Sequence, residues 1–500
     1  GVERLLHEVT WETYRPPAPD ASPRHWLIVH ASDVAAETSV PLAASLKARG
    51  CRVDEVVLVD GVTLGQRGET QWAMDGRRRE NFAELFRQLA SNDQEFPDGV
   101  AWLLGAETLR GADRQPVSQT AGGLARYFAD AKQRLLAEAE AVCVPLLTFV
   151  EAIRESGRRQ LACGLQLVTS AGVATPVDES VEPEQAQYWG LGRVLGAEEP
   201  HLRCRLIDLA SAEQREPGTA DAAADLLLAD TRDSQFAIRD GHYLAPRIQR
   251  MKRMPMAPAE PLCDGAAAYL VTGGLGMLGR EVAAWLLRQG AGQVVVTSRR
   301  PPDEATQRFF ESLHEVSGKI DVPGEIVVHP ADIASPDDVA RLMGRFGQDL
   351  KPLRGVLHVA GVLDDGLLSD QTWDRFQKVL EPKLAGVEFL DAATRDLPLD
   401  FFILYSSAAS VLGSPGQSNY AMANAFLDGL AGRRRAAGLP ALSINWGPWA
   451  VGMADDPRIA KRLKLQGIEP LAVDDAHEVL GQLLAADVGQ ATVIDVDWRR

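Results

Sequence analysis

The chain has 500 residues, of which 46% are hydrophobic and 24% are charged, and its formal net charge is −17. This length predicts two to four domains, and the composition is that of a globular protein with large cores. The negative charge argues against a nucleic-acid partner, because binding to phosphates requires a basic surface. No run of about 18 apolar residues occurs, so no membrane span is predicted.

The five cysteines, Cys51, Cys143, Cys163, Cys204 and Cys263, are far apart and have no ligand-like spacing. We therefore predict free thiols and no metal site. The first residues do not resemble a signal peptide, and we expect a cytoplasmic protein. Neither end has the pattern of a tail or cap, so we interpret the chain as a segment of a longer protein.

The first half of the sequence alternates between apolar strands and helical segments. The predicted strands are Glu8–Trp11, Trp26–His30, Cys51–Leu58, Val100–Leu104, Leu165–Thr169, Arg203–Leu209 and a hairpin of Gln235–Arg239 with His242–Arg247. Helices are predicted at Ala36–Ala48 and Pro183–Gly196, with two more in residues 133–156 that break near Pro145. Residues 61–95 are expected to be mainly helix or loop. The loop His30-Ala-Ser-Asp33 lacks glycine, so a pyrophosphate could not approach it closely and we expect no cofactor in this half.

A proline-rich linker over residues 251–264 precedes a second series of strands and helices. Its predicted strands are Tyr269–Thr272, Gln293–Thr297, Gly324–His329, Gly355–Val359, Phe401–Tyr405, Ala441–Trp446 and Thr492–Asp495. Such alternation indicates a mostly parallel sheet with helices on its faces. We therefore predict an α/β protein of two Rossmann-like, doubly wound parallel-sheet subdomains: residues 1–250, degenerate and structural, and residues 265–500, complete and catalytic.

The first strand of the second half leads into its helix through a glycine-rich segment, Tyr269-Leu-Val-Thr-Gly-Gly-Leu-Gly-Met-Leu-Gly279. In the G-x-G-x-x-G spacing, Gly274 permits a tight turn, Gly276 lets a pyrophosphate approach, and Gly279 lets helix and strand pack closely. The intervening residues belong to the same predicted phosphate site, because a helix N-terminus attracts negative charge. They are Leu275, Met277 and Leu278. The alternative is a tight turn without a ligand.

Three further segments extend the predicted cofactor site. Ser298 and Arg299 follow the second strand, where NAD-specific folds usually have an acidic residue and arginine suits a 2′-phosphate, so we predict NADPH. Asp332 and Ile333 could bind adenine, although a turn aspartate explains Asp332 equally well. Ala360 and Gly361 are small enough to leave room for ribose and nicotinamide.

Ser407, Tyr420, Asn424 and Lys383 are the candidate catalytic residues. Tyr420 and Asn424 are four residues apart and share one face of a helix, and Lys383 is predicted on a helix that begins after Pro382. This set suits reduction of a ketone: Tyr420 donates a proton, Ser407 holds the carbonyl oxygen, and the Lys383 ammonium lowers the tyrosine pKa. Asn424 would align a water or the lysine.

Together these residues resemble the short-chain dehydrogenase/reductase superfamily, and specifically the ketoreductase domain of modular type I polyketide synthases. The motifs in the second half are Thr272–Gly279, Ser298–Arg300, Glu381–Lys383, Tyr405–Ser407, Asn419–Asn424 and Asn445-Trp-Gly-Pro-Trp449. The first half is similar through Tyr188–Leu195 and Phe236–His242. The superfamily's Tyr-x-x-x-Lys is not present, because Asn424 occupies the lysine position, and Lys383 fits the relocated lysine of polyketide ketoreductases.

The resemblance implies reduction of a β-ketoacyl thioester that an acyl carrier protein carries, within a synthase that supplies neighbouring domains. Leu363-Asp364-Asp365 is similar to the signature of B-type enzymes, which form the D-configured hydroxyl. Leu412 stands where A-type enzymes have tryptophan, and Met422 stands where some B-type enzymes have proline, so subtype B1 is implied. Pro448 is implied in cofactor binding, and Gln417 and Trp449 are implied in substrate control.

Two peripheral features and two alternative functions complete the predictions. Residues 451–468 would form a lid, or alternatively a peripheral helix. The cluster Arg433-Arg434-Arg435 could meet an acidic carrier protein, although a solvated helix end is the simpler explanation. A reductively inactive scaffold domain is the first alternative function, and an epimerase or dehydratase of nucleotide sugars is the second.

Overall fold

The computed structural model describes residues 1–18, 24–31, 36–91, 96–104, 120–157, 161–178, 180–252, 261–317, 324–451, 461 and 463–498. Most of the predicted linker and most of the predicted lid lie outside these ranges, as does the end of the loop that follows His30. Within the ranges, no helix combines the length and the apolar character needed to cross a membrane. The five cysteines are free thiols, and four of them are buried.

The N-terminal half is a parallel sheet flanked by helices. Its strands are β1 (Leu6–Tyr14), β2 (His25–Ala31), β3 (Arg52–Leu58), β4 (Gly65–Gly68), β5 (Gln71–Met74), β6 (Gly99–Leu103), β7 (Gly164–Ser170), β8 (Arg205–Leu209), β9 (Gln235–Arg239) and β10 (His242–Arg250). Its helices are α1 (Ala36–Ala48), α2 (Arg79–Ser91), α3 (Ala121–Glu155), α4 (Pro183–Glu198) and α5 (Thr219–Leu228). The parallel strands run in the order β5-β3-β2-β6-β7-β8-β9.

The C-terminal half repeats this order. Its strands are β11 (Ala268–Thr272), β12 (Gln293–Ser298), β13 (Glu325–Pro330), β14 (Leu353–His358), β15 (Phe401–Ser407), β16 (Leu442–Trp446), β17 (Ile468–Glu469), β18 (Gln490–Val493) and β19 (Asp495–Val496). Its helices are α6 (Met277–Arg288), α7 (Glu304–Ser317), α8 (Pro336–Met343), α9 (Trp373–Thr394), α10 (Ala408–Leu412), α11 (Ser418–Ala436) and α12 (Val473–Ala486). The parallel order is β13-β12-β11-β14-β15-β16-β18. In both halves the order of the parallel strands reverses beside the first of them, β2 in one half and β11 in the other. Open α/β sheets bind ligands at such a point.

Strand β1 joins the two halves into one sheet. It pairs antiparallel with β10 along its length, and its first two residues, Leu6 and His7, pair with Val493 and Thr492 of β18. Helices also cross the boundary, since α4 packs on α11 and α3 packs on α8 and α9. Phe128 of α3 stacks on Phe389 of α9 with ring centroids 4.6 Å apart. The core is therefore shared between the halves.

Two local predictions were wrong. Pro145 lies inside the continuous helix α3, with no break, and Pro382 lies inside α9, which begins nine residues earlier at Trp373. A proline removes only one helical N–H, and packing against other helices stabilises the rest of each helix. Within residues 61–95, predicted as mainly helix or loop, the segment before α2 also contains the antiparallel pair β4 and β5.

Candidate active site

The turn between β11 and α6 requires glycine at three positions. Gly273 has a φ of +69°, and a Cβ there would lie 2.8 Å from the backbone of Ala360. A Cβ on Gly274 would overlap Val296 of β12, and one on Gly279 would overlap the Gly273 carbonyl. The tight turn was assigned to Gly274, but the residue with the positive φ is Gly273, because Gly274 instead packs against β12.

Gly276 differs from these three glycines. It is the N-cap of α6, is exposed, and has an extended backbone with a φ of −68°. A Cβ there would come no closer than 3.3 Å to protein, at the Gly273 carbonyl oxygen. The fold alone therefore does not demand glycine at this position. Leu275 precedes it, and Met277 and Leu278 form the first turn of the helix.

A cleft of about 580 Å³ opens at the carboxyl ends of β11, β12, β13 and β14. The predicted cofactor residues in its lining are Gly276, Ser298, Arg299, Asp332, Ile333, Ala360 and Gly361. Arg299 is exposed. Asp332 also acts as a turn aspartate, the alternative considered for it, because its Oδ1 accepts a hydrogen bond from the Ala334 N–H at 3.0 Å. The structure thus brings residues from four separate strand ends to one cleft.

Lys383 lies beside this cleft, next to Pro382 and Gly361, which line it. Its side chain is only 2% exposed, and Nζ donates a hydrogen bond to the Tyr405 carbonyl at 3.0 Å. A Cβ on Gly361 would lie 3.0 Å from Lys383 Cε, so glycine gives the lysine its space. The ammonium nitrogen is 5.7 Å from the centre of the Tyr420 ring.

Burial sets the electrostatics of this pair. It lowers the pKa of Lys383 to about 7, although the Asp428 carboxylate opposes the shift. Burial raises the pKa of Tyr420 above its ordinary value, and hydrogen bonds with the Asn424 and Ser407 side chains offset this only in part. Desolvation therefore dominates both groups, and the effect of the Lys383 ammonium on the tyrosine pKa stays a prediction.

Ser407 and Asn424 flank Tyr420. Ser407 ends β15 and caps α10, where its Oγ accepts a hydrogen bond from the Ala409 N–H at 3.2 Å. Asn424 is fully buried one turn after Tyr420 and donates from Nδ2 to the Tyr420 carbonyl at 2.8 Å. Its Oδ1 is buried without a hydrogen-bond partner among the described residues. An unsatisfied amide oxygen of this kind is a suitable acceptor for an ordered water.

Two loops meet beside Tyr420: the Asp-Asp loop, residues 363–370, and the Gln417 loop, residues 413–417. Gln417 donates from Nε2 to Asp365 Oδ2 at 3.0 Å, and the Gly366 N–H donates to the Gly416 carbonyl at 2.8 Å. Leu363 is exposed at the edge of the first loop, and Leu412 ends α10 just before the second.

Asp364 anchors the Asp-Asp loop to α9. Its carboxylate accepts hydrogen bonds at 2.8 Å from both Arg375 and Lys378, and these bonds lower its pKa. Sequence reasoning missed Arg375, Lys378 and also Asn419, which donates from Nδ2 to the Asp364 carbonyl at 2.9 Å. Asn419 begins the motif that contains Tyr420, and that position was the available signal.

Met422 and Trp449 are buried and, like the catalytic candidates, are not among the residues that line the cleft. Met422 is fully buried, and its sulfur lies 3.4 Å from the Cys143 sulfur of α3. Trp449 is 4% exposed and packs edge-on against Trp446, with ring centroids 5.1 Å apart. Pro448 accepts a hydrogen bond from the Leu471 N–H at 2.7 Å.

The three arginines at the end of α11 form ion pairs with carboxylates of the same chain. Arg433 and Arg434 pair with Glu388 and Asp391 of α9, and Arg434 is 2% exposed. Arg435 pairs with Asp487. The expectation of a solvated helix end was wrong for the first two arginines, and neither of them is free to meet a carrier protein.

The fold and the cleft are those of a short-chain reductase with an additional Rossmann-like half. A family model described as the KR domain matches residues 267–451, and one described as "Polyketide synthase extender module SpnB, Rossmann fold domain" matches residues 9–248. A solved structure described as "Structure of A1-type ketoreductase" is 30% identical, with a TM-score of 0.79 over 99% of this chain and 94% of that one. The chain belongs to the ketoreductase domains of modular polyketide synthases.

Similar curated proteins are much longer. Polyketide synthase GfsA from Streptomyces halstedii is 38% identical over 71% of this chain and 5% of its own length. Erythronolide synthase EryA3 from Saccharopolyspora erythraea is 36% identical over 70% of this chain and 10% of its own length. This chain therefore spans about a tenth or less of these two relatives. The family consists of NAD(P)H-dependent reductases, so the class of reaction is oxidoreduction.

Proposed function

We propose that this domain uses NADPH to reduce the β-keto group of a thioester bound to an acyl carrier protein, with Tyr420 as the proton donor. The observation that carries the proposal is the approach of Lys383 and Ser407 to Tyr420, beside the glycine-lined cleft. The three side chains come from α11, α9 and the end of β15. Their approach to one another gives a donor, a cation and an oxygen-binding hydroxyl in one place.

The residues of the cleft fit a dinucleotide. Gly276 leaves space for a phosphate where the fold itself does not need glycine, and the N-terminus of α6 supplies backbone N–H groups. Arg299 lines the cleft after β12, where a guanidinium suits a 2′-phosphate better than a hydroxyl. Asp332 and Ile333 would hold the adenine, and Gly361 and Pro448 would lie near the nicotinamide. This combination favours NADPH over NADH.

The bound cofactor would supply the hydride, and the side chains would manage the proton. Tyr420 has a raised pKa, so its phenol keeps the proton it must donate at neutral pH. Ser407 would hold the carbonyl oxygen, which brings it within reach of the phenol. The ammonium of Lys383 would stabilise the tyrosinate left after transfer. Asn424 Oδ1 would accept from a water that links to the lysine.

The Asp-Asp loop favours the B type and the D-configured hydroxyl. Asp365 is joined to the Gln417 loop that precedes Tyr420 by the Gln417 hydrogen bond, and Leu412 occupies the position where A-type enzymes have tryptophan. The solved relatives with 30% identity are described as A-type and A1-type. That level of identity reflects the shared fold, whereas configuration depends on these few residues. The proposed subtype is B1.

The proposed context is a cytoplasmic synthase in which neighbouring domains deliver the substrate on a carrier protein. Residues 1–250 would be structural and without cofactor, 251–264 the linker, and 265–500 the catalytic subdomain. In support, His30, near the carboxyl end of β2, is paired at 2.9 Å with Glu55 in the middle of β3. A scaffold role is not favoured, because the glycine turn, Tyr420, Lys383 and Ser407 are all in place.

The decisive experiment is reduction of a simple β-ketoacyl thioester by the purified chain with NADPH, followed by chiral analysis of the product. We expect NADPH oxidation and a D-configured hydroxyl. A product of L configuration would contradict the B-type assignment alone. Absence of reduction together with absence of NADPH binding in a fluorescence titration would instead favour the scaffold.

A further inference from the structure

Helix α4 of the N-terminal half lies directly on the catalytic helix α11. A Cβ on Gly190 would overlap the carbonyl of Ala421, the residue after Tyr420, so the two helices meet backbone to backbone. Arg193 donates to the carbonyl of Ser410 in α10. The half without a catalytic residue therefore touches the elements that carry Tyr420 and Ser407.

Glu198, the last residue of α4, reaches both loops beside Tyr420. Its Oε1 accepts a hydrogen bond from the Gly416 N–H at 2.8 Å, and its Oε2 accepts one from the Leu368 N–H at 2.7 Å. Gly416 is in the Gln417 loop, and Leu368, which is 3% exposed, is in the Asp-Asp loop. One carboxylate from the N-terminal half thus bridges two segments of the C-terminal half.

The local stability of α4 does not explain a carboxylate at this position. The C-terminal end of a helix carries partial negative charge and disfavours an acidic side chain. Charge-assisted hydrogen bonds from two backbone N–H groups are the compensating interaction. Neither N–H belongs to α4, so the residue serves the two loops and not its own helix.

The two loops carry Asp365 and Gln417, the pair of side chains that the proposed function associates with substrate control. Gln417 donates to Asp365, and the Gln417 carbonyl accepts from the Ala421 N–H at 2.7 Å at the start of α11. The separation of the loops therefore determines where Asp365 and Gln417 stand relative to Tyr420. Removal of the bridge leaves two backbone N–H groups without their acceptor and frees the loops to shift.

We propose that Glu198 is a positioning residue that fixes the Asp-Asp loop against the Gln417 loop and so determines which face of the ketone the substrate presents. This inference rests on the proposed function. It assigns part of the stereochemical control to the N-terminal half, through a residue that does not touch the substrate.

The test compares Glu198→Gln and Glu198→Ala with Glu155→Gln. Glu155 ends α3, is exposed and pairs with Arg79, so it is a matched carboxylate at a helix terminus outside the loops. The measurements are the ratio of the two hydroxyl configurations, KM for the thioester, KM for NADPH, and hydrogen exchange at the Leu368 and Gly416 amides. The isosteric Gln variant keeps one acceptor oxygen and places an amide donor against the other N–H.

We expect both Glu198 variants to exchange faster at the two amides and to lower the configuration ratio at least about tenfold, the effect of one hydrogen bond to a charged group. KM for the thioester should rise, while KM for NADPH and the behaviour of Glu155→Gln stay unchanged. If wild type reduces the ketone and the variants keep its configuration ratio, this inference alone is wrong. Lack of reduction by wild type would reject the proposed function itself. A change only in melting temperature would show a merely structural role.

Discussion

Lys383 approaches Tyr420 from a different helix, with its ammonium nitrogen 5.7 Å from the ring centre. Lys383 is on α9, and the position one turn after Tyr420 on α11 is Asn424, whose amide donates to the Tyr420 carbonyl. The cation is buried and its pKa is lowered to about 7. The tyrosine therefore has a neighbour whose charge depends on pH in the physiological range.

Replacement of Tyr420 by phenylalanine should remove the proton donor without disturbing the cleft. We expect kcat for ketone reduction to fall by about 10²- to 10⁴-fold, with NADPH affinity retained. Steady-state kinetics and a fluorescence titration measure the two effects. The matched control is Tyr405→Phe, because the Tyr405 hydroxyl is buried without a hydrogen-bond partner among the described residues. Full activity in Tyr420→Phe would refute its role as donor.

The lowered pKa of Lys383 predicts a pH dependence. In the free enzyme the ammonium form is lost as pH rises through about 7, so kcat/KM for NADPH should decline above that pH. The unfolded lysine titrates near 10.4, so between these values the unfolded chain binds more protons and stability should rise with pH.

Lys383→Met should abolish the pH dependence of kcat/KM and the contribution of this lysine to the pH dependence of stability. Urea unfolding at pH 7 and pH 9 measures stability, and the comparison with wild type removes the contribution of other groups. A wild-type kcat/KM that stays flat between pH 7 and 9 would contradict the assignment of the ammonium as the active form.

Arg299→Ala tests the choice of cofactor. Loss of a hydrogen bond to a charged phosphate costs about 1.5–3 kcal/mol, so KM for NADPH should rise roughly 10- to 100-fold. Turnover with NADH, which lacks the 2′-phosphate, should not change. Arg300→Ala is the control, since Arg300 is exposed and outside the cleft lining. Equal effects on both cofactors would show that Arg299 does not recognise the 2′-phosphate.

Gly276→Ala separates cofactor binding from folding. Its Cβ would approach protein only to 3.3 Å, so the melting temperature should stay close to wild type while NADPH affinity falls. Gly279→Ala should destabilise the fold, because its Cβ would overlap the Gly273 carbonyl. Gly122→Ala, where no atom lies within 4 Å of the added Cβ, is the neutral control. Unchanged NADPH affinity in Gly276→Ala would remove this glycine from the phosphate site.

The burial of Met422 predicts an effect on stability and not on configuration. Met422→Ala should lower the free energy of unfolding by about 2–5 kcal/mol, whereas Met422→Leu should cost less than about 1.5 kcal/mol. Both variants should form the wild-type configuration. Urea unfolding and chiral analysis check these outcomes. A reversed configuration in Met422→Leu would restore the direct role that the family resemblance implied.

The sequence predicted the alternation of both halves because buried parallel strands are short apolar runs between amphipathic helices. In the second half the predicted strand Tyr269–Thr272 differs from β11 by one residue. The strand β4, Gly65–Gly68, has no such signal, because all four of its residues are exposed. The pairing of β1 with β10 and β18 was also hidden, since register between distant segments leaves no local pattern.

In the candidate site, too, residues in local motifs were predicted and residues that depend on distant contacts were missed. The glycine turn, Arg299 and the four catalytic candidates belong to spaced motifs. The structure places Gly276 and Arg299 in the cleft lining and Lys383, Ser407 and Asn424 around Tyr420. Glu198 was missed, because a single glutamate at a helix end has no motif and its partners are backbone N–H groups 170 and 218 residues away. Met422 and Trp449 are buried, which their motifs do not reveal, since only the folded packing decides which face of a helix or loop is accessible.

The pairing of β1 with β18 matters when ketoreductase domains are exchanged between polyketide synthases. A fragment cut at the proline-rich linker would lack Leu6 and His7, and the backbone of β18 would become an open sheet edge, which invites aggregation. The transplantable unit therefore has its upstream boundary before Leu6. A fragment that begins later would lose the β1–β18 pairing together with the N-terminal half, although that half carries no catalytic residue.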